Sequence, residues 1–394
     1  MLIEVLISTL VGVFAGTFTG LLPGVHINLV GTILVGLTAT LFSLINPIYL
    51  ITFIASMAIT HTFIDFIPSI FLGCPDTDTQ LSVLPGHELL KEGKGYEAVM
   101  LTATGGIFAI FILILISFPS AFLFSRIYEL IRSVMFYALS ITSLLLIFSE
   151  KKKFTALFVF LISGILGLCV LNSEIKEPLL PLLTGLFGSS MLVISIKNKI
   201  QIPQQEITSP RCKMLKPLIG TIIASPLCGF LPGLGSGQAA ILGNSISRTD
   251  RKGFLVLIGA TNILVMGLSF VSLYAISKTR TGAAVAIQEI MGFLSWKILL
   301  VILGVVLLSG IISFFLVKVL TRFFSQRINR INYSLLSIAT LIFLVIIVFV
   351  FSGFWGLLIL IASTLTGIYC NSLNVKKTHM MGCLLVPTMI LYIL

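Results

Sequence analysis

Residues 98–118 read AVMLTATGGIFAIFILILISF, with no charged side chain anywhere in the run. About 20 apolar residues in a helix span the roughly 30 Å hydrocarbon core of a bilayer. Barrel strands alternate apolar and polar positions over segments of roughly 10 residues. Ile107 to Ser117 (IFAIFILILIS) has no such alternation, so this stretch is a membrane helix. Comparable runs fall at about 2–20, 28–45, 48–72, 133–149, 154–171, 179–196, 214–231, 253–276, 296–320, 334–351, 353–371 and 380–394. The sequence therefore predicts an all-α polytopic membrane protein with ten to thirteen membrane segments, some too short to cross. It is expected in a cell membrane, with the lipid bilayer as its solvent.

Composition agrees. The chain of 394 residues is 57% hydrophobic and 10% charged, and its mean hydropathy is +1.14. An ordinary soluble domain is about 25% charged. The net charge of +11 would suggest nucleic acid in a soluble protein. Here the basic residues cluster in short loops, as the positive-inside rule expects, and no nucleic-acid partner is implied. The clusters are Lys151 to Lys153, Lys197 to Lys216, Arg248 to Lys252, Lys318 to Arg330, and Lys376 with Lys377. The six cysteines (Cys74, Cys169, Cys212, Cys228, Cys370, Cys383) form no CxxC pair, so no metal or redox motif and no cofactor follows. The N-terminal MLIEVLIST lacks a basic n-region and reads as the first membrane segment. Ser120 to Arg132 has the pattern of an amphipathic interfacial helix.

A repeat divides the chain. Gly-Leu-Leu-Pro-Gly at 20–24 recurs as Gly-Phe-Leu-Pro-Gly at 229–233, each after an apolar run and before small and polar residues. Thr60-His61 aligns with Thr261-Asn262 further on. The most polar stretch, 197–216, lies between the copies and is read as a linker between two structurally related lobes, 1–196 and 217–394. Paired Gly/Pro-broken segments at matching places in two halves point to a transporter's binding site.

Proline removes an N–H and clashes with the preceding turn, and glycine tolerates positive φ. Together they produce re-entrant or broken helices, which are tolerated only where they line protein or a watery cavity. A half-helix N-terminus attracts an anion, and unwound carbonyls hold a cation. The expected substrate contacts are Gly20, Pro23, Gly24, His26 and Asn28 at the first break. Pro232, Gly233, Gly235, Ser236, Gly237 and Gln238 belong to the second. Asn262 lies within an apolar segment, and Arg280 would pair with a carboxylate or phosphate in a forked geometry, or serve as a loop cation. A simple kink or tight turn is the plainer reading of an isolated Pro-Gly.

A second constellation, THTFIDFIPSIFLGCPDTDTQLSVLPGH, occupies 60–87. His61 and Asp65 are four apart on one helix face. An ionisable residue in a span is costly and is functional by default. Asp65 would carry a proton or help hold Na⁺; alternatively it faces water at a segment end, and His61 is then a structural hydrogen-bond partner. Asp76, Thr77, Asp78 and Thr79 offer hard oxygen ligands to a small coupling cation, or form a capped, solvated loop. No EF-hand spacing is present, so calcium is not implied.

These motifs resemble the large membrane subunit of the tripartite tricarboxylate transporters, the TctA family, and more closely an archaeal branch of standalone membrane proteins. The matching stretches are GTFTGLLPGVH (16–26), residues 60–87 as quoted, CGFLPGLGSGQA (228–239) and NILVMGLSFVSLYAISKTRTGAAVAI (262–287). The resemblance implies a secondary transporter of two related lobes working by an elevator-like or rocking movement. In the bacterial systems a periplasmic protein delivers a carboxylate and a small membrane subunit assists. This chain departs in two ways. Cys74-Pro75-Asp76-Thr77 stands where the family has Pro-Gly-Thr-Pro, and the chain is shorter than typical members. An acidic loop there disfavours a trivalent anion unless a cation is bound beside it.

The leading expectation is ion-coupled transport, by H⁺ or Na⁺, of an organic anion such as a carboxylate. Translocation of a polyprenyl-phosphate lipid is the alternative. An intramembrane hydrolase fits poorly: Ser236 sits in Gly-Leu-Gly-Ser-Gly without the rhomboid order, and no HExxH occurs. A channel has no evident filter sequence. A homodimer is left open as an assembly.

Overall fold

The computed structural model describes residues 2–22, 31, 45–73, 79–198, 201–229, 235–279, 281–330 and 332–393. Among them no strand occurs. Local chemistry sets the helix starts. α1 (Leu2–Leu21) is followed by α2 (Pro47–Ile64), capped by the Asn46 side chain, which accepts from Ile48 N–H at 3.0 Å. Two short helices come next, α3 (Phe66–Phe71) and α4 (Val83–Lys91), then the long α5 (Gly95–Phe148) and α6 (Lys153–Leu171). α7 (Leu179–Leu183), a π turn at Thr184–Ser189 and α8 (Ser190–Lys197) form one apolar span. After the polar stretch come α9 (Leu215–Gly229), α10 (Ser236–Ser247), α11 (Arg251–Ile276), α12 (Gly282–Met291), α13 (Trp296–Arg327), α14 (Tyr333–Ser372) and α15 (Gly382–Leu391). Asp250, Thr281, Ser295 and Asn332 cap α11 to α14 with side-chain oxygens.

Among the described residues, eight helices are long and apolar enough to cross a bilayer. Two of the longest cannot be straight. At 1.5 Å per residue, the 40 residues of α14 would reach about 60 Å, twice the hydrocarbon thickness. Gly353, at φ 65° and ψ −162°, reverses it, and Ile347 and Leu360 on either side share one apolar cluster with Leu180. α5 also folds back. Tyr128 meets Lys278, beyond the far end of α11, whereas Leu146 and Ser149 share a cavity with Asp250 and Arg251 at the start of α11. The expected interfacial helix over 120–132 is therefore not a separate element. Those residues complete the outer end of α5's first limb, where Arg126 stacks on Phe122 at 4.0 Å.

The molecule has one basic side. There Lys252 meets Glu97, Arg251 bonds Glu88 and Glu92, and Gln205 anchors the 201–214 segment by accepting from Gly95 N–H and donating to Leu90 O. The polar stretch is thus irregular, as expected, yet fixed by a buried amide.

Helix direction follows from matched contacts. Gly12 lies against Phe53 and Ser56, Gly16 against Met57 and Thr60, and Gly20 against Ile64, so α1 and α2 run parallel, toward the basic side. Small residues every fourth position let the two backbones approach. α9 and α11 also run parallel: Thr221 is beside Leu257 and Thr261, and Gly229 beside Leu268. This second pair starts at the basic side, opposite in sense to the first. α5's first limb leaves the basic side alongside α11, Gly105 against Ala260 and Thr102 against Gly259. α13 returns toward it, with Trp296 near Tyr274 and Arg322 near Tyr96. Buried polar side chains inside this packing are mostly Ser and Thr, whose hydroxyls return to the carbonyl one turn back, as Ser163, Thr221, Thr261 and Ser313 do. The outer surface carries Leu2, Phe118, Phe154 and Trp355 against lipid.

Candidate functional site

At the first break, α1 closes at Leu21. Pro23, Gly24, His26 and Asn28 lie outside the described residues. What flanks them is ordered by close packing: a Cβ on Gly16 would sit 2.8 Å from Thr60 Cβ, and one on Gly20 would sit 3.0 Å from His61 O. His61 is buried, and its Nδ1 lies 3.0 Å from Thr19 Oγ1. One turn on, Asp65 is also buried at the end of α2, and its N–H donates to His61 O at 2.9 Å. The alternative reading of Asp65, as a carboxylate facing water at a segment end, does not hold, because the residue is only 4% exposed. Ser69 Oγ donates to Asp65 O at 2.8 Å and meets Thr79 Oγ1 at 2.7 Å. Thr79 therefore belongs with Asp65, while Asp76, Thr77 and Asp78 fall outside the described residues.

At the second break, α9 and α10 have 15 and 12 residues, each shorter than a bilayer requires. They pack against each other at Gly220 and Gly243, and both reach back to the basic side. The pair is a re-entrant hairpin entering from that side. Pro232 and Gly233, between the two helices in sequence, lie outside the described residues. Gly229, at the end of α9, lies beside Leu268, well inside α11. Beyond Pro232 and Gly233, Gln238 Oε1 accepts from Gly235 N–H at 2.8 Å and caps the buried start of α10.

Asn262 sits on α11, 3% exposed, and its Nδ2 has no hydrogen-bond partner. A buried amide donor without an acceptor costs about 1–3 kcal/mol, which an arriving acceptor would relieve. Beyond it, Thr281 Oγ1 donates to Ser269 Oγ at 3.1 Å, and Thr279 Oγ1 to Ser269 O at 3.4 Å. Arg280, between those two threonines, is outside the described residues. Gly31, in the segment after the first break, lies against Gly282: a Cβ on Gly31 would be 2.7 Å from Gly282 Cα. The first break is thereby joined to the loop after α11.

Sequence reading missed the two serine–threonine pairs. Ser69 with Thr79 and Ser269 with Thr281 stand ten and twelve residues apart, each linking a span to the start of the following short helix. A search for the same Ser/Thr pattern downstream of each Pro-Gly would have found them. It missed Thr19 as the partner of His61 for the ordinary reason that α1 and α2 meet only in the fold. Among the described residues, no group of three His, Cys, Asp or Glu side chains could hold a metal.

Apolar spans packed around short, enclosed helices define a multi-pass membrane protein. The profile described as the tripartite tricarboxylate transporter TctA family matches residues 6–382. The chain belongs to that family. It is also similar to an uncharacterized protein of Methanocaldococcus jannaschii, 32% identical over 404 residues and covering 99% of each chain. No solved structure matches.

Proposed function

We propose that the protein is an ion-coupled secondary transporter of an organic anion, built from two lobes of inverted topology, 1–196 and 217–394, joined by the 197–216 segment. One observation carries this reading. Two Pro-Gly-containing breaks belong to helix pairs that run in opposite directions, α1 with α2 and α9 with α11, and each lobe repeats a buried serine–threonine bond next to its break. Inverted repeats with half-helices at the interface are the architecture in which one site opens alternately to either side.

The anion would sit at the N-terminus of α10, whose helix dipole favours negative charge, with Asn262 Nδ2 as a donor. The loop ahead of α12, with Arg280, is the corresponding element near the first break. Asp65, set between the His61 and Ser69 turns, is the coupling residue: a carboxylate in a span binds H⁺ or Na⁺ and loses its cost by doing so. By the positive-inside rule the basic side, with the 197–216 segment and the Lys151 and Arg248 clusters, faces the cytoplasm. The hydrolase alternative loses ground here, because the family matched over residues 6–382 is a transporter family.

The test begins with a thermal-shift screen of the purified chain against carboxylates and polyprenyl phosphates, with and without Na⁺. Uptake of the best ligand is then measured in proteoliposomes under an imposed H⁺ or Na⁺ gradient. Asp65→Asn is expected to fold and bind but to lose gradient-driven accumulation. Full accumulation by that variant would end the coupling role. Stabilisation by polyprenyl phosphates alone would favour the lipid-carrier reading instead.

A further inference from the structure

On the basic side a cavity of about 430 Å³ lies between two groups of helices. Leu81, Phe254 and Arg251 come from the elements around the breaks, and Phe187, Asn371 and Lys377 from the α7–α8 span and the end of α14. Its walls are largely apolar, but its charges are not balanced. Glu88 is engaged by Arg251 at 3.4 Å. Asp250 Oδ1 accepts from Gly253 N–H at 3.0 Å. Lys377 is left: its Nζ touches Met191 Sδ, and among the described residues no carboxylate forms an ion pair with it. Lys376 lines the same cavity and adds a second positive charge. The Asn371 side chain, also in the wall, has neither its Nδ2 nor its Oδ1 hydrogen-bonded.

We propose that this cavity binds a phosphate-bearing anion with an apolar body, Lys377 neutralising the phosphate and Asn371 hydrogen-bonding it. Burial pushes the Lys377 ammonium down to about 8, with Lys91 acting in the same direction and Glu88 against it. A bound anion reverses that cost, since a buried charge is tolerated when paired. The largely apolar walls favour a lipid. The cavity lies where α11 begins and α14 ends, on the side that the positive-inside rule turns to the cytoplasm, and basic pockets between membrane helices there recognise anionic headgroups. A free phosphate ester has the same chemistry. Because the two walls belong to different helix groups, the occupant would tie them together.

The experiment uses the full chain in detergent and counts retained phosphatidylglycerol by native mass spectrometry, with phosphatidylcholine as the neutral comparison and inorganic phosphate as the soluble probe. Lys377→Met keeps the volume and removes the charge, so it is expected to fold. Lys151→Met, on the exposed cluster, is the control. Phosphatidylglycerol is expected to bind about tenfold more weakly to Lys377→Met, the loss of one charge-assisted contact, and equally well to Lys151→Met. Asn371→Leu should weaken it in the same direction. Phosphate binding that depends on Lys377 without lipid retention would uphold the site and assign it to a soluble anion. Retention unchanged by Lys377→Met, or no binding of either probe, overturns the proposal.

Discussion

Gly16→Ala and Gly304→Ala make the same chemical change and are expected to move stability in opposite directions. At Gly16 the added methyl would lie 2.8 Å from Thr60 Cβ and closer still to the Met57 carbonyl, within the α1–α2 contact. Carbon atoms pack comfortably at about 3.5–4.0 Å, so the helices must part by roughly 1 Å. Overpacking of that kind costs about 1–3 kcal/mol, offset in part by up to about 1 kcal/mol of helix propensity. Gly304, in mid-α13, has nothing within 4 Å of its Cβ position, so only the propensity gain remains, about 0.5–1 kcal/mol. The two variants should therefore differ by about 2 kcal/mol in an SDS titration in mixed micelles followed by circular dichroism. Gly16→Ala should also reduce uptake, because the Thr19–His61 bond crosses the same contact. If Gly16→Ala matches or exceeds the wild type in stability, the close approach of α1 and α2 is not what holds the first break, and the reasoning fails.

Gly353 has room for a methyl but stands at φ 65°, ψ −162°, a region open essentially to glycine. Gly353→Ala is expected to cost about 1–3 kcal/mol in the same titration despite the empty space. His87, buried on α4, donates from Nδ1 to Ile70 O (3.3 Å) and is pushed down to about 4 by burial and by Lys91. Its folded pKa lies below the unfolded 6.5, so the unfolded chain takes up the proton first. Stability is then complete above pH 6.5 and falls as the pH drops toward 4, by about 3 kcal/mol; His87→Gln should flatten that dependence in thermal melts at stepped pH. Ser69→Ala and Ser269→Ala each remove one hydrogen bond to a threonine hydroxyl at matching places, at a cost of about 1 kcal/mol. Uptake should fall several-fold in both, and a loss in one lobe only would argue against equivalent roles.

Charge scarcity and uninterrupted apolar runs determined the helical membrane fold, because a bilayer permits no other use of such segments. The repeated Pro-Gly motif marked the two breaks, and the boundary between the runs at 334–351 and 353–371 fell at Gly353, where the chain does reverse. Composition could also single out Asp65 and His61, since ionisable residues are expensive in lipid wherever the fold puts them. Partnership was another matter. That Thr19 meets His61, that Gly31 meets Gly282 and that Ser313 donates to Thr60 depend on contacts between residues tens to hundreds of positions apart. Helix direction was likewise hidden, because an apolar run reads the same up or down, and only the order of contacts along α1 and α2 against α9 and α11 revealed the opposed sense. Lys377 and Asn371 looked like ordinary residues of a loop and a helix end. Only the cavity between the start of α11 and the end of α14 encloses them, and enclosure is what turns a solvated lysine into an unbalanced charge.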